Sequence, residues 1–120
     1  MDSALEGWTM PEAFQELVQD GDFAIVGELL AVFRRDTEKR LREARNAIAN
    51  GDAANLQSQI HSTKGSARQM GANVMGEICQ EIELTASAVP IACLSARIDE
   101  LEVHFVAVCQ AMRTFIDHKF

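Results

Sequence analysis

Apolar residues recur at intervals of three and four along four long segments of this chain, the spacing that gathers them on one face of an α-helix. Charged and polar residues fill most of the other positions. Each segment therefore predicts a long amphipathic helix with one face turned towards a core. The positions predicted to face inward are, helix by helix, Val26, Leu29, Leu30, Phe33, Leu41, Ala44 and Ile48; Leu56, Ile60, Thr63, Ala67 and Met70; Val74, Met75, Ile78, Cys79, Ile82 and Ala86; and Leu94, Ile98, Leu101, Phe105, Val108, Met112 and Phe115.

Turn-forming residues separate the four segments. Asp22 and Asp52 are suited to cap the starts of the first two long helices, because a short acidic side chain accepts hydrogen bonds from the free N–H groups there. Glycines and a proline mark the helix ends, at Asn50-Gly51, at Gly71 and at Pro90.

A shorter helix precedes the four long ones. Thr9-Met10-Pro11-Glu12 has the form of a capping box with an early proline, and Gly21 ends the helix after Asp20. Long amphipathic helices joined by short turns pack as antiparallel neighbours. The sequence thus predicts an all-α fold, an antiparallel up-down-up-down four-helix bundle with a short extra N-terminal helix. We expect residues 1–120 to form one domain.

The charge balance narrows the choice of partners. The formal net charge is −7, whereas a protein that binds nucleic acid through its phosphates needs positive charge, so we expect no nucleic-acid partner. Six of the eleven basic residues lie close together, and we interpret them as a solvated helix face: Arg34, Arg35, Lys39, Arg40, Arg42 and Arg45.

The sequence has the features of a protein without a membrane segment. The longest uncharged run, from Leu84 to Ala96, is too short to cross a bilayer. The first residues, MDSALEGW, lack the basic-then-apolar plan of a signal peptide. Cys79, Cys93 and Cys109 are widely spaced, and we expect them to be small core residues in a reducing compartment. We therefore expect a monomeric, cytoplasmic protein with no membrane partner.

The second of the four long helices carries the residues most suited to chemistry. It places four of them together, about 130° from its apolar stripe at about 100° per residue: His61, Lys64, Gly65 and Arg68. The imidazole of His61 is therefore expected to be accessible to solvent. A glycine costs about 0.5–1 kcal/mol relative to alanine inside a helix, so Gly65 indicates that open space beside the ring is needed.

A carboxylate is predicted to face this histidine from the next helix. If the turn at Gly71-Ala72-Asn73 joins two antiparallel helices, residues equidistant from Ala72 face each other. His61 lies eleven residues before Ala72 and Glu83 lies eleven residues after it. Glu83 can then accept a hydrogen bond from one ring nitrogen, which fixes the tautomer and directs the other nitrogen outward. A plain surface carboxylate is the alternative interpretation of Glu83.

An oriented and accessible imidazole with positive charge nearby is suited to attack a phosphoryl group. Phosphoryl transfer depends mainly on positioning and on stabilising spread negative charge. A phosphoryl group brings about 1.5 to 2 negative charges near neutral pH, which Lys64 and Arg68 would offset. The residues by themselves thus suggest that His61 is a nucleophile in phosphoryl transfer.

The motif HSTKGSARQMGA resembles that of histidine-containing phosphotransfer (HPt) domains, in which a histidine is followed by x-x-Lys-Gly-Ser and by Gly-Ala at the helix end. The resemblance extends upstream through LLAVFRRDTEKRLREARNAIANGDAANLQSQI and downstream through GANVMGEICQEIE, and covers Gly27 to Ala88. This chain departs from the family at Ser62 and Thr63, where an apolar residue is common before the lysine. Arg68 is not a fixed position of the family.

The resemblance implies a role for each site residue. It implies that His61 is phosphorylated on its exposed nitrogen and that Glu83 holds the other ring nitrogen. Lys64 would screen the phosphoryl charge, and Gly65 would permit close approach.

The resemblance also implies partners. Such domains relay a phosphoryl group between aspartates of receiver domains and work with sensor or hybrid histidine kinases. They have no nucleotide site and no enzymatic activity of their own. The receiver domains supply the acidic pocket and the Mg²⁺, so no cofactor is expected on this chain.

Two other functions fit parts of the sequence. A four-helix adaptor would bind a receiver domain without being phosphorylated. A metal-binding bundle is less well supported, because His61, His104 and His118 lack the paired carboxylate-histidine spacing of di-metal bundles.

We expect a receiver domain to dock on an apolar patch around His61. Phe14, Leu17 and Phe23 are the candidate anchors, since aromatic residues often dominate such interfaces. The alternative is that these three residues simply close the end of the bundle.

Overall fold

Five α-helices and one short 3-10 helix make up residues 8–119, the part of the chain that the structure, a computed structural model, describes. The helices are α1 (Glu12–Gln19), α2 (Phe23–Ala49), α3 (Ala53–Gln69), α4 (Asn73–Thr85) and α5 (Ser95–Lys119), and the 3-10 helix is Ile91–Leu94. The all-α prediction and the predicted order of helices are confirmed. Residues 1–7, which include most of the segment without a signal-peptide pattern, lie outside the described residues.

The four long helices form the predicted antiparallel bundle. α3 packs against α2 and α4, and α5 packs against the same two helices. α3 and α5 therefore lie diagonally opposite each other, while α1 packs on α2. Within residues 8–119, no helix is both long enough and apolar enough to cross a membrane.

The residues that form the core largely follow the predicted inward positions. Val26, Ile60, Met75 and Ile98 are each at most 1 % exposed. Leu29 is the clearest exception, because 39 % of its surface is exposed. The apolar stripe of α2 is broad, and Leu29 lies at its edge beside α3, where the neighbouring helix does not cover it.

The cysteines do not all behave as core residues. Cys79 is buried and Cys109 is half-buried, and burial raises their thiol pKa values to about 12 and about 11. Cys93 is exposed on the 3-10 helix, so the expectation of a core position is wrong there. All three are free thiols.

The helix starts confirm one predicted cap and correct two. Asp52 Oδ1 accepts a hydrogen bond from the Asn55 N–H at 3.1 Å, as expected. Asp22 occupies the N-cap of α2, but its side chain makes no capping bond within the described chain. The capping box at residues 9–12 is wrong, because α1 begins after Pro11 without a side-chain cap among the described residues.

The segment before α1 instead closes one end of the bundle. The Thr9 N–H donates to the carbonyl of Gly71 at 3.0 Å, and the Trp8 indole N–H donates to the carbonyl of Met70 at 2.8 Å. Gly71 has a φ of +82°, and a Cβ on it would clash with the Thr9 carbonyl oxygen. Only glycine satisfies both requirements at the turn between α3 and α4. This turn is thus anchored from outside as well as by its own backbone bonds.

Candidate functional site

His61 lies on the outward side of α3, where 71 % of its side chain is exposed. Ile60 and Ala67 of the same helix are buried, and the periodicity of the helix carries position 61 away from them. The predicted accessibility of the imidazole is confirmed. A partner molecule can therefore reach the ring without a rearrangement of the bundle.

The carboxylate of Glu83 faces the ring from α4, as the equidistance about Ala72 predicts. His61 Nδ1 lies 3.5 Å from Glu83 Oε2. An ionised carboxylate only accepts hydrogen bonds, so this contact requires the proton on Nδ1 and leaves the lone pair on Nε2. The arrangement gives His61 one nitrogen oriented by the protein and one available for nucleophilic attack.

Lys64 is held inside the site and does not extend into solvent. Its Nζ lies 2.8 Å from Glu83 Oε1 and 3.1 Å from Gln80 Oε1. Only 15 % of the side chain is exposed, although the residue lies about 130° from the apolar stripe of α3. The reason is that α4 covers this side of α3. Lys64 and His61 thus share one carboxylate, each on a different oxygen.

Glu83 is ionised at neutral pH. Burial raises the pKa of Glu83, since a charged group is costly to remove from water. The contacts with Lys64 and His61 favour the charged form and outweigh burial, so the pKa of Glu83 lies below its ordinary value of 4.5. The negative charge that orients the imidazole is therefore present whenever the protein is near neutral pH.

Gly65 leaves the approach to the ring open. The residue is exposed, and a Cβ built on it would meet nothing within 4 Å outside its own helix turn. Packing within the bundle therefore does not require a glycine at this position. This open space agrees with the expectation from the sequence that Gly65 leaves room beside the His61 ring for a molecule that approaches from outside the bundle.

Arg68 lies further along the same pair of helices, across from Gly76 of α4. A Cβ on Gly76 would approach Arg68 Cγ to 2.8 Å and Nε to 3.3 Å. The arginine stem thus follows the surface of α4. Arg68 is exposed, and no hydrogen bond or ion pair joins it to any group in the described part of the chain.

The sequence reasoning missed Gln80 and Gly76, although the signal that identifies them was present. Lys64 and Gln80 each lie eight residues from Ala72, and Arg68 and Gly76 each lie four residues from it. The rule that paired His61 with Glu83 therefore pairs these residues too. It was applied to the histidine alone.

Most of the chain matches the model of a known protein family. Residues 28–115 match the model of the Hpt domain family. The chain belongs to the Hpt family. A search of curated proteins found no match.

Two solved structures are similar to this HPt domain. The histidine-containing phosphotransfer protein B (HptB) of Pseudomonas aeruginosa is 30 % identical with a TM-score of 0.71, and the match covers 88 % of this chain and 89 % of that one. The HPT domain of an Hpt sensor hybrid histidine kinase from Shewanella shares the fold, with a TM-score of 0.66 at 23 % identity over 85 % of this chain and 89 % of that one. This HPt domain therefore functions in histidine phosphotransfer in two-component phosphorelays.

We expect the substitution Glu83→Gln to lower stability most at neutral pH. Because the folded pKa of Glu83 is depressed, its charge stabilises the fold above pH 4.5, and this contribution is lost as the pH falls through the folded pKa. The neutral variant lacks the contribution throughout. The difference from wild type should be about 1 kcal/mol at pH 7 and should shrink below pH 4.5.

Urea unfolding followed by the fluorescence of Trp8, the single tryptophan, measures this difference at each pH. Trp8 is 2 % exposed, so cooperative unfolding of the bundle transfers it to water and changes its fluorescence. A difference that stays constant from pH 7 into the acid range would show that the charge of Glu83 does not stabilise the fold.

Proposed function

We propose that His61 accepts a phosphoryl group on Nε2 from the aspartate of a receiver domain and passes it to the aspartate of a response regulator. The observation that carries this proposal is the exposed imidazole whose Nδ1 lies 3.5 Å from the ionised Glu83 carboxylate. Nε2 attacks the phosphorus, the N–P bond forms, and the P–O bond to the aspartate breaks to release its carboxylate. Transfer onward is the reverse of this step.

Glu83 acts on the charge that the ring gains in this step. A neutral imidazole that forms an N–P bond without losing its Nδ1 proton becomes a cation. Glu83 lies on that proton and stabilises the positive ring through a charge-assisted hydrogen bond. The carboxylate thus orients the nucleophile before transfer and stabilises the phosphorylated ring afterwards.

Lys64 supplies positive charge on the side of the ring that faces α4. An ammonium group has three N–H donors. Glu83 and Gln80 occupy two of them, so one donor remains for a phosphoryl oxygen. Held in this way, Lys64 offsets the phosphoryl charge without a large movement of its side chain.

The partners are a sensor or hybrid histidine kinase and receiver domains. The protein exchanges the phosphoryl group with them in the cytoplasm, as a monomer with a single domain. The receiver domain supplies Mg²⁺ and the acidic pocket. This chain supplies only the histidine and the groups that position it. It is therefore a phosphotransfer intermediate that needs no nucleotide and no cofactor of its own.

We expect the substitution His61→Gln to abolish phosphorylation of this protein. A receiver domain phosphorylated on its aspartate in the presence of Mg²⁺ is mixed with the protein, and the acid-labile, base-stable phosphoryl group on this chain is measured by phosphate-affinity gel. His104→Gln and His118→Gln are the matched controls, and both should accept the group at the wild-type rate.

Two results would contradict the proposal in different ways. Phosphorylation that persists in His61→Gln would mean that another residue is the acceptor. A wild-type protein that binds the receiver domain but takes up no phosphoryl group would be a four-helix adaptor.

We expect substitutions at Gly65 to separate stability from activity. Gly65→Ala should raise the free energy of unfolding by up to about 1 kcal/mol, because the added Cβ meets open space and alanine favours helix. Gly65→Gln should fold normally and transfer the phosphoryl group roughly tenfold more slowly, or worse. Position 65 lies about 40° around the helix from His61 and one turn on, so a long side chain there crowds the receiver domain.

Urea unfolding and the initial rate of transfer, measured on the same preparations, test this expectation. Gly65→Glu should transfer more slowly than Gly65→Gln, since it adds repulsion to the same bulk. Wild-type transfer by Gly65→Gln would contradict a role for the glycine in close approach.

The apolar surface for the receiver domain lies on α2 beside α3. Phe14 is only 8 % exposed and belongs to the core, so the interpretation that it closes the bundle applies to it. Leu17 and Phe23 are half-buried. Leu29 and Val32 of α2 are more exposed than Phe14, at 39 % and 43 %.

Leu29 and Val32 line one cleft with residues that adjoin His61. The opposite wall includes Ser62, the residue after His61, and Ser66. An exposed apolar surface of this kind next to a reactive group supports a role in docking. We therefore propose Leu29 and Val32 as anchors in place of Leu17 and Phe23, while Phe14 lines the same cleft but is mostly buried.

We expect the double substitution Leu29→Ala and Val32→Ala to weaken binding of the receiver domain roughly fivefold, or about 1 kcal/mol, because exposed aliphatic area is lost from the interface. Stability should change little, since neither residue is part of the buried core. Val103→Ala with Val106→Ala is the matched control on α5, where these valines are 68 % and 49 % exposed. Isothermal titration with the receiver domain measures both pairs. Equal losses of affinity in the two pairs would contradict a docking role for the α2–α3 surface.

A further inference from the structure

Gly76 is the fourth residue of α4, and a glycine within a helix is less stable there than alanine. The residue is buried, and the space that a side chain would fill is occupied by Arg68 of α3. A Cβ at this position would lie 2.8 Å from Arg68 Cγ and 3.3 Å from Nε. Because Cγ is close to the backbone and not at the free end of the side chain, the whole arginine would have to move. The glycine therefore determines the course of the Arg68 stem.

The charge of Arg68 is not neutralised by its own domain. Arg45 pairs with Asp99 and Glu102, and Arg97 pairs with Glu81 and Glu100. Among the residues that the structure describes, no carboxylate lies within ion-pair distance of Arg68. Arg35, Arg42 and Arg113 also lack an ion pair within the described residues, but Arg68 lies on the two helices that carry the candidate site.

Arg68 also lies on the same side of the bundle as the reactive ring. His61, Lys64 and Arg68 follow one line along α3, opposite Glu83, Gln80 and Gly76 of α4. Seven residues separate Arg68 from His61, which corresponds to about 10 Å along the helix. This is somewhat more than the screening length of about 8 Å at physiological salt, so the guanidinium charge acts on the part of a docked partner that lies beside Arg68 and only weakly on the ring itself.

We propose that Gly76 is a positioning residue, which seats Arg68 against α4 so that its guanidinium group meets the acidic face of the receiver domain. The inference rests on the proposed function of His61. A receiver domain that exchanges a phosphoryl group through an aspartate and Mg²⁺ presents carboxylates and phosphoryl oxygens around that aspartate. A cation already fixed in its binding direction loses less side-chain entropy on association than a free one. With a side chain at position 76, Arg68 would extend into solvent as an ordinary mobile surface charge.

A purely structural role for the contact makes a different prediction. An arginine stem covers apolar surface on a helix, and this contributes to stability whatever its charge does. In that case the substitution at Gly76 changes the free energy of unfolding, and the affinity for the receiver domain stays the same. The two roles are separated by measuring both quantities.

A double-mutant cycle with Gly76→Ala and Arg68→Ala tests the proposal. Each single variant should weaken binding of the purified receiver domain about threefold at low salt, and the loss should shrink at high salt. The double variant should bind no more weakly than Arg68→Ala alone, because the alanine acts only through the arginine. Arg113→Gln, which removes an exposed arginine on the diagonally opposite α5, is the matched control and should bind normally.

The double variant also guards against a folding defect. Arg68→Ala removes the atoms that would clash with a Cβ at position 76, so Gly76→Ala in that background should fold with at least the stability of Arg68→Ala. If Gly76→Ala alone is too unstable to assay, the double variant is compared with Arg68→Ala. A lower affinity of the double variant for the receiver domain overturns the proposal. An equal affinity, together with a salt-dependent loss in Arg68→Ala, supports it.

Other outcomes overturn it directly. They are wild-type affinity in Gly76→Ala, additive losses in the double variant, and a loss in Arg68→Ala that salt does not change. The cycle measures binding and needs no phosphoryl transfer. A wild-type protein that is not phosphorylated on His61 would overturn the proposed function, but the binding affinities of the cycle could still be compared.

Discussion

The packing of α3 against α4 in register about Ala72 is the constraint on which the site depends. Ala72 is fully buried, and its N–H donates to the Ala67 carbonyl at 2.8 Å. The turn is further held from outside by the bonds from Trp8 and Thr9 to Met70 and Gly71. A shift of one residue between the two helices would rotate every facing pair by about 100°. The contacts of His61 and Lys64 with α4 would then be lost together.

Within that register, one carboxylate performs two functions. Glu83 binds Lys64 through one oxygen and faces His61 through the other. Burial raises its pKa, and the contacts with the two partners bring the pKa below its ordinary value. The group that orients the histidine is therefore itself maintained by the neighbouring lysine. The orientation of the ring and the placement of the nearby cation are parts of one network, and a change in either alters both.

Three glycines near the site serve three different purposes. Gly71 needs a positive φ and room for the Thr9 carbonyl, so it is required by the fold. Gly76 makes room for the Arg68 stem, so it is required by a neighbouring side chain. Gly65 has open space beside it, and no contact in the described chain accounts for it. A residue type that weakens helices is thus explained at two positions by packing, whereas at the third we propose that it leaves room for a partner.

Sequence by itself determined the helices and the exposed position of His61. These follow from periodicity, which is a property of the chain that needs no knowledge of distant contacts. It also determined the pairing of His61 with Glu83, because a short turn between antiparallel helices converts sequence distance into spatial distance. The register of α3 on α4 was therefore available before the fold was known.

Only the tertiary structure decided where long, flexible side chains lie and whether residues at the edge of an apolar stripe are covered. Lys64 and Arg68 have long side chains that can turn to solvent or to α4, and the choice depends on the surface of α4. Leu29 belongs by pattern to the inner face of α2, yet it stays exposed because α3 does not reach it. Thr9 caps no helix, since its backbone is bonded to a turn 62 residues away. Periodicity assigns a residue to a face, whereas the shape of the neighbouring helix decides whether that face is covered.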